Sequence, residues 1–150
     1  MIKRSVSFVI CSPQHPALVL AVRRPPDDAD LPDAWGLPAG SLREGESWED
    51  AVRRAAREKL GVEVTVGRTI EEGRIARRDH TLHMRLFEAR VVRGEPRVPQ
   101  STAGVTQYTD FEWADAARFV PAAAAGSLCC RLYLKSVGRD DRTGSTSSSG

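Results

Sequence analysis

A charge imbalance is missing from this chain. Its 22 lysines and arginines face 20 aspartates and glutamates, a net charge of +2. Bulk charge therefore gives no reason to expect a nucleic acid or a membrane surface as partner. Cysteine is scarce: Cys11, Cys129 and Cys130 are odd in number and form no CxxC pair. That fits a reduced, cytoplasmic setting rather than a disulfide framework. The adjacent Cys129 and Cys130 point in different directions on a helix and read as buried packing. No apolar run spans a bilayer. The opening MIKRSVSFVICS is too short, no small-residue cleavage site follows it, and it reads as a first strand. No GxSxG nucleophile motif occurs, and no aromatic-basic motif for nucleic acid. His80 and His83, three apart on a strand, face opposite ways and have no third ligand nearby.

What is present suits one packed domain. Hydrophobic residues make up 41% of 150 residues, too many for a disordered chain. Apolar runs at Ser5–Ile10 and Ala17–Val22, with Pro13 and Pro16 between them, predict two strands joined as a hairpin. A loop rich in proline and aspartate follows Arg24, and its acids read as solvated turn chemistry. Trp35–Pro38 reads as a short strand. Glu46–Leu60 reads as the best helix, with acids early, bases late and Gly61 as its stop. At about 100° per residue its apolar sector includes Trp48, Ala51, Val52, Ala55, Ala56 and Leu60. Lys59 falls inside that sector and Glu58 at its edge. Alternation predicts strands at Val62–Val66, Thr69–Ile75, Thr81–Val92 and Thr106–Trp113, then a helical turn at Ala114–Phe119 and a closing helix over Pro121–Val137. The domain is thus expected over 1–137. The Gly/Ser-rich stretch 138–150 reads as a flexible tail.

From Gly40 the chain reads GSLREGESWEDAVRRAAREKLGV. A glycine, five residues, Glu46, seven residues, Arg54, then Ala56, Glu58, Gly61 and Val62: this spacing resembles the signature of the Nudix (MutT-like) family. The resemblance implies an α+β fold, an α/β/α sandwich with a mixed sheet. It implies a hydrolase of a nucleoside diphosphate linked to another moiety, hence a small nucleotide or diphosphate as partner, and it is compatible with a homodimer. In such proteins three helix carboxylates near one face bind Mg2+ or Mn2+. A helix sets positions i, i+3 and i+4 side by side, so three glutamates there form an anionic patch that collects hard cations.

Two positions depart from the pattern. Where the family has glutamates, this chain has Ala55 and Lys59. An ammonium in place of a carboxylate changes the local charge by two units and repels a cation. The loop before the last strand offers Gln100, Ser101 and Thr102 and no acid; Asp110 and Glu112 serve only if the strand turns them inward. The resemblance therefore leaves Glu58 and the Gly40 carbonyl as metal ligands, and Mg2+ or Mn2+ use that is weak or absent. It assigns catalysis to Glu58 with Lys59, and substrate binding to Arg23, Arg54, Arg74 and Arg78. The box frame is Gly40, Glu46, Arg54, Glu58 and Gly61. Glu46 also reads as a first-turn helix acid, and Arg54 with Glu58 as an i,i+4 salt bridge. The base-reading asparagine of MutT-like members falls near Ala123, which gives no support to a role on oxidised purines. A module that binds a nucleotide or phosphorylated metabolite without cleaving it is the alternative.

Overall fold

The computed structural model describes residues 1–139. Beyond its first two residues, the stretch expected as a tail at 138–150 lies outside them. In chain order the elements are β1 (Ile2–Ile10), β2 (Val19–Arg23), β3 (Trp35–Gly36), β4 (Ala39–Ser41) and α1 (Trp48–Ala55), which continues as a π-helical turn (Ala56–Leu60). Then come β5 (Glu63–Ala76), β6 (Thr81–Arg93), β7 (Asp110–Ala114), a 3-10 turn (Ala116–Phe119), α2 (Val120–Ala124) and α3 (Leu128–Ser136).

A four-stranded sheet runs in the order β4-β1-β6-β5 and a three-stranded one in the order β3-β2-β7. β1 and β6 are parallel, from Ile2↔Thr81 to Ile10↔Ala89, while β4 and β5 are antiparallel to their neighbours, so the larger sheet is mixed. Strand alternation divides the core between its faces. Val6, Phe8, Ile10, Phe87 and Ala89 pack with Ala51, Val52, Ala55 and Leu60 of the box helix. Val9, Met84 and Leu86 pack with Leu128, Leu132 and Leu134 of α3. Helices therefore cover both faces, the α/β/α sandwich expected. Each large side chain buried as completely as Phe8 or Phe87 contributes about 1.5–3 kcal/mol relative to exposure.

Several local expectations change. β1 and β2 do not form a hairpin. Both edges of β1 are taken, by β4 and β6, and β2 starts the other sheet with a single bridge, Cys11↔Val19. The two stretches expected at Val62–Val66 and Thr69–Ile75 are one bent strand, β5, whose register shifts between Val66 and Thr69. The last strand begins only at Asp110, because Gln107 and Tyr108 turn to the box helix and the loop before it. The closing helix is two helices interrupted at Gly126, and the Ser127 hydroxyl caps the second. Cys129 and Cys130 are both buried in it, as expected.

The box helix is fixed at both ends. Ser47 is the N-cap, its Oγ accepting from Asp50 N at 3.0 Å. Trp48 lies edge-on to His83, with ring centroids 5.1 Å apart, and beneath the Arg85 guanidinium at 4.6 Å. Glu72 on β5 pairs with both His83 and Arg85. At the other end Gly61 has φ 71°, the left-handed cap that closes the helix. A Cβ there meets the Gln100 amide at 2.7 Å. Gln100 can swing away, but the backbone strain stays. Gly61→Ala is expected to lower unfolding stability by about 1–2 kcal/mol, measured by urea denaturation.

Candidate active site

Arg54 is the centre of the box. Leaving the buried face of α1 at 8% exposure, its guanidinium donates from Nε to Glu46 Oε2 at 2.8 Å and from Nη2 to Glu46 Oε1 at 2.9 Å. This is a fork-to-fork arginine–carboxylate pair. Nη2 also donates to the Ser41 carbonyl at 2.6 Å, and Nη1 to Glu58 Oε1 at 3.2 Å. One side chain thus ties the strand before the loop, the loop and the helix together. The i,i+4 pair with Glu58 is present as expected. Glu46 sits elsewhere than expected: it lies before the Ser47 cap, outside the helix, and accepts from Arg43 N at 2.9 Å. Its carboxyl is held below its ordinary value of 4.5 by the hydrogen bonds from Arg54, which outweigh the upward push of burial. The same bonds raise the Arg54 pKa.

Gly40 lies against the helix. A Cβ on it comes 3.0 Å from the Ala55 Cβ, so β4 and the helix meet through two small residues. Ala55 is 1% exposed and belongs to the apolar core. Glu58 is half-buried, and both of its oxygens lie 3.4 Å from Arg43 Nη2 in addition to the Arg54 contact. Lys59 turns away from these carboxylates. Its Nζ donates to the Ala39 carbonyl at 2.7 Å and lies 5.3 Å from the centre of the Tyr108 ring. The Tyr108 hydroxyl donates to the same carbonyl at 3.3 Å and accepts from Ala39 N at 3.0 Å.

The loop from Arg97 packs on the end of the helix. Arg97 N donates to the Leu60 carbonyl at 2.9 Å, and Gln107 Nε2 to the Glu58 carbonyl at 3.0 Å. The two acids left as candidates turn elsewhere. Asp110 is exposed and accepts from Phe111 N, and Glu112 pairs with Arg118.

Of the expected site residues, the fold brings together Gly40, Glu46, Arg54, Glu58 and, on its own side, Lys59. Arg23, Arg74 and Arg78 make no hydrogen bond or ion pair with them among the described residues. Arg23 is held by Asp33, through its carbonyl at 3.3 Å and Oδ1 at 3.6 Å. Arg74 and Arg78 are exposed. Arg74 stands on β5, across the sheet from Gly40 on β4, three strand spacings or roughly 14 Å away. Arg77 reaches the Gly126 carbonyl near the α2–α3 junction. Sequence reasoning missed Arg43, Gln107 and Tyr108. Arg43 lies three residues beyond the box glycine; the other two fall inside the stretch expected as the last strand, which begins only at Asp110.

A divalent metal centre of the kind the family uses does not fit these donors. Position 55 is an alanine in the core, position 59 is an ammonium already on the loop carbonyl, and Glu58 is bound by two arginines. Among the described residues no group of three or more His, Cys, Asp or Glu could hold a metal ion. Nor is any helix among them long and apolar enough to cross a membrane.

A family model for the NUDIX domain matches residues 1–128. Solved structures with a similar fold include a NUDIX hydrolase from Nitrosomonas europaea, at TM-score 0.71 and 17% identity over 99% of this chain and 98% of that one. A MutT protein from Methanosarcina mazei Go1 matches at TM-score 0.64 and 17% identity, covering 80% and 81%. An ADP-ribose pyrophosphatase from Streptococcus suis 89-1591 matches at TM-score 0.59 and 15% identity, covering 91% and 92%. No curated protein matches the sequence.

The Glu46–Arg54 pair makes stability depend on acid pH. Because the folded carboxyl has the lower pKa, its contribution is fully present above 4.5 and is lost as pH falls through the folded value. Glu46→Gln is expected to lose about 1.5–3 kcal/mol at pH 7. It should also show a shallower fall in stability below pH 4.5 than the parent, read by denaturant unfolding across pH.

Proposed function

The chain belongs to the Nudix family, and from that premise we propose a Nudix-type hydrolase of a nucleoside diphosphate linked to another moiety, with divalent-metal use attenuated or absent. The observation that carries the reading is the intact frame around Glu58. Arg54 and Arg43 present Glu58, the one carboxylate among positions 55, 58 and 59, half-buried near Gly40. ADP-ribose, on which one of the similar folds acts, is a compound of the proposed class.

In this reading Glu58 takes a proton from the attacking water. The water oxygen forms a bond to phosphorus, the anhydride P–O bond breaks, and the departing phosphate carries away the electron pair. Lys59 faces the negative charge that builds on the phosphoryl oxygens, as a fixed cation does in other phosphoryl transfers. Arg54 acts through Glu58 and the loop, since Glu46, Glu58 and the Ser41 carbonyl occupy its donors. Arg74 on β5 and Arg78 in the β5–β6 turn, both exposed, are left to substrate binding in this reading.

A second reading, a module that holds a nucleotide or phosphorylated metabolite without cleaving it, is favoured by one observation: both Glu58 oxygens face an arginine. Turnover separates the two. On a panel of diphosphate-linked nucleosides that includes ADP-ribose, the parent should release phosphorylated products. Glu58→Gln should lower kcat about a hundredfold or more with KM little changed. A parent inert on every diphosphate, with and without Mg2+, would leave only the binding reading.

A further inference from the structure

We propose that the Lys59 ammonium is a resident cation for phosphoryl oxygens, through which this protein binds a diphosphate anion without a divalent metal. The inference rests on the reading of the site as one for a diphosphate-containing ligand, and it names the group that holds that ligand.

The starting point is an electrostatic imbalance. Lys59 is half-buried, yet among the described residues it pairs with no carboxylate. Its neighbours are a carbonyl dipole at 2.7 Å and an aromatic face at 5.3 Å. The nearby acids are committed elsewhere, Glu46 to Arg54 and Glu58 to Arg54 and Arg43. Charges removed from water are normally paired. An ammonium has three donors, and the Ala39 carbonyl takes one of them. The remaining donors, on a cation with no carboxylate partner, suit an anion with several acceptor oxygens.

Its placing is equally specific. Ala39 immediately precedes the box glycine, and Lys59 immediately follows Glu58, so the ammonium joins β4 to the helix. Tyr108 touches both partners: its ring faces the ammonium, and its hydroxyl bonds both the N–H and the C=O of Ala39. Lysine behaves as a compact point charge toward phosphate. A tethered point charge neutralises phosphoryl oxygens while needing none of the carboxylate ligands a metal requires. The loss of the glutamate at position 55, whose place is sealed in the core, is then consistent with the gain of a cation at position 59.

Calorimetric titration with inorganic pyrophosphate in EDTA-containing buffer tests this. The parent is expected to bind. Lys59→Met, which keeps the aliphatic stem, should bind at least about tenfold more weakly, and Lys59→Arg should retain most of the affinity. Thermal melts of each variant establish that it is folded. Two results overturn the inference: no binding by the parent in EDTA, or a folded Lys59→Met that binds as tightly as the parent. Should Lys59→Met fail to fold, Lys59→Gln takes its place, and the parent titration in EDTA decides in any case. The hydrolase reading fails separately. Binding in EDTA with no turnover on any diphosphate removes that reading and keeps this one. Turnover that requires added metal, without binding in EDTA, does the reverse.

Discussion

A single guanidinium holds the box together. Arg54 joins the carboxylate before the helix, the carbonyl of the strand before the loop and the carboxylate one turn on. A charge buried this deeply is tolerable only when its donors are matched, and removing either acid would leave it exposed to the low-dielectric penalty. The position of Glu58 and the approach of the Gly40 loop to α1 both depend on this knot. The wider fold supports it from two sides. Trp48 clamps the start of the helix to His83 and Arg85, and Gly61 with the Arg97 loop closes its end.

The frame of the family survives here while its charge is reversed. Three glutamates on one helix face would repel one another unless cations held them. In this chain one is an alanine that joins the core, one is engaged by two arginines, and one has become an ammonium. The box then holds Arg43, Arg54 and Lys59 against Glu46 and Glu58, a balance that the proposed reading assigns to an anionic ligand. Frame and charge can separate because they rest on different contacts. Arg54 serves the frame and needs Glu46 and Glu58, whereas positions 55 and 59 contribute nothing to the knot.

What could be read in the sequence was what is local. The box helix, its glycine stop and the Arg54–Glu58 pair lie within one or two turns and follow from period and spacing. The layered fold followed from the order of strands and helices and from the resemblance at Gly40–Val62. Strand partnership was not legible. The β1–β2 hairpin looked natural in sequence, but the edges of β1 are filled by β4 and β6, which come from far along the chain. The contact of Tyr108 with Ala39 spans 69 residues, and no periodic pattern announces it. Lys59 could be flagged as out of place on an apolar sector; that it reaches a carbonyl and an aromatic face required the fold. Glu46 looked like a helix acid because the spacing alone could not show that the cap is Ser47.

In the proposed reading a lysine and a core alanine stand where the family has two of its metal-binding glutamates, and the divalent metal is lost with them. Titration with Mn2+, followed by the paramagnetic resonance of the free ion, tests it most directly. The parent is predicted to leave the free-ion signal rising from the first addition, while the double variant Ala55→Glu with Lys59→Glu takes up the ion before the signal appears. Stoichiometric uptake of Mn2+ by the parent would show instead that Glu58 and its neighbours still hold a divalent metal.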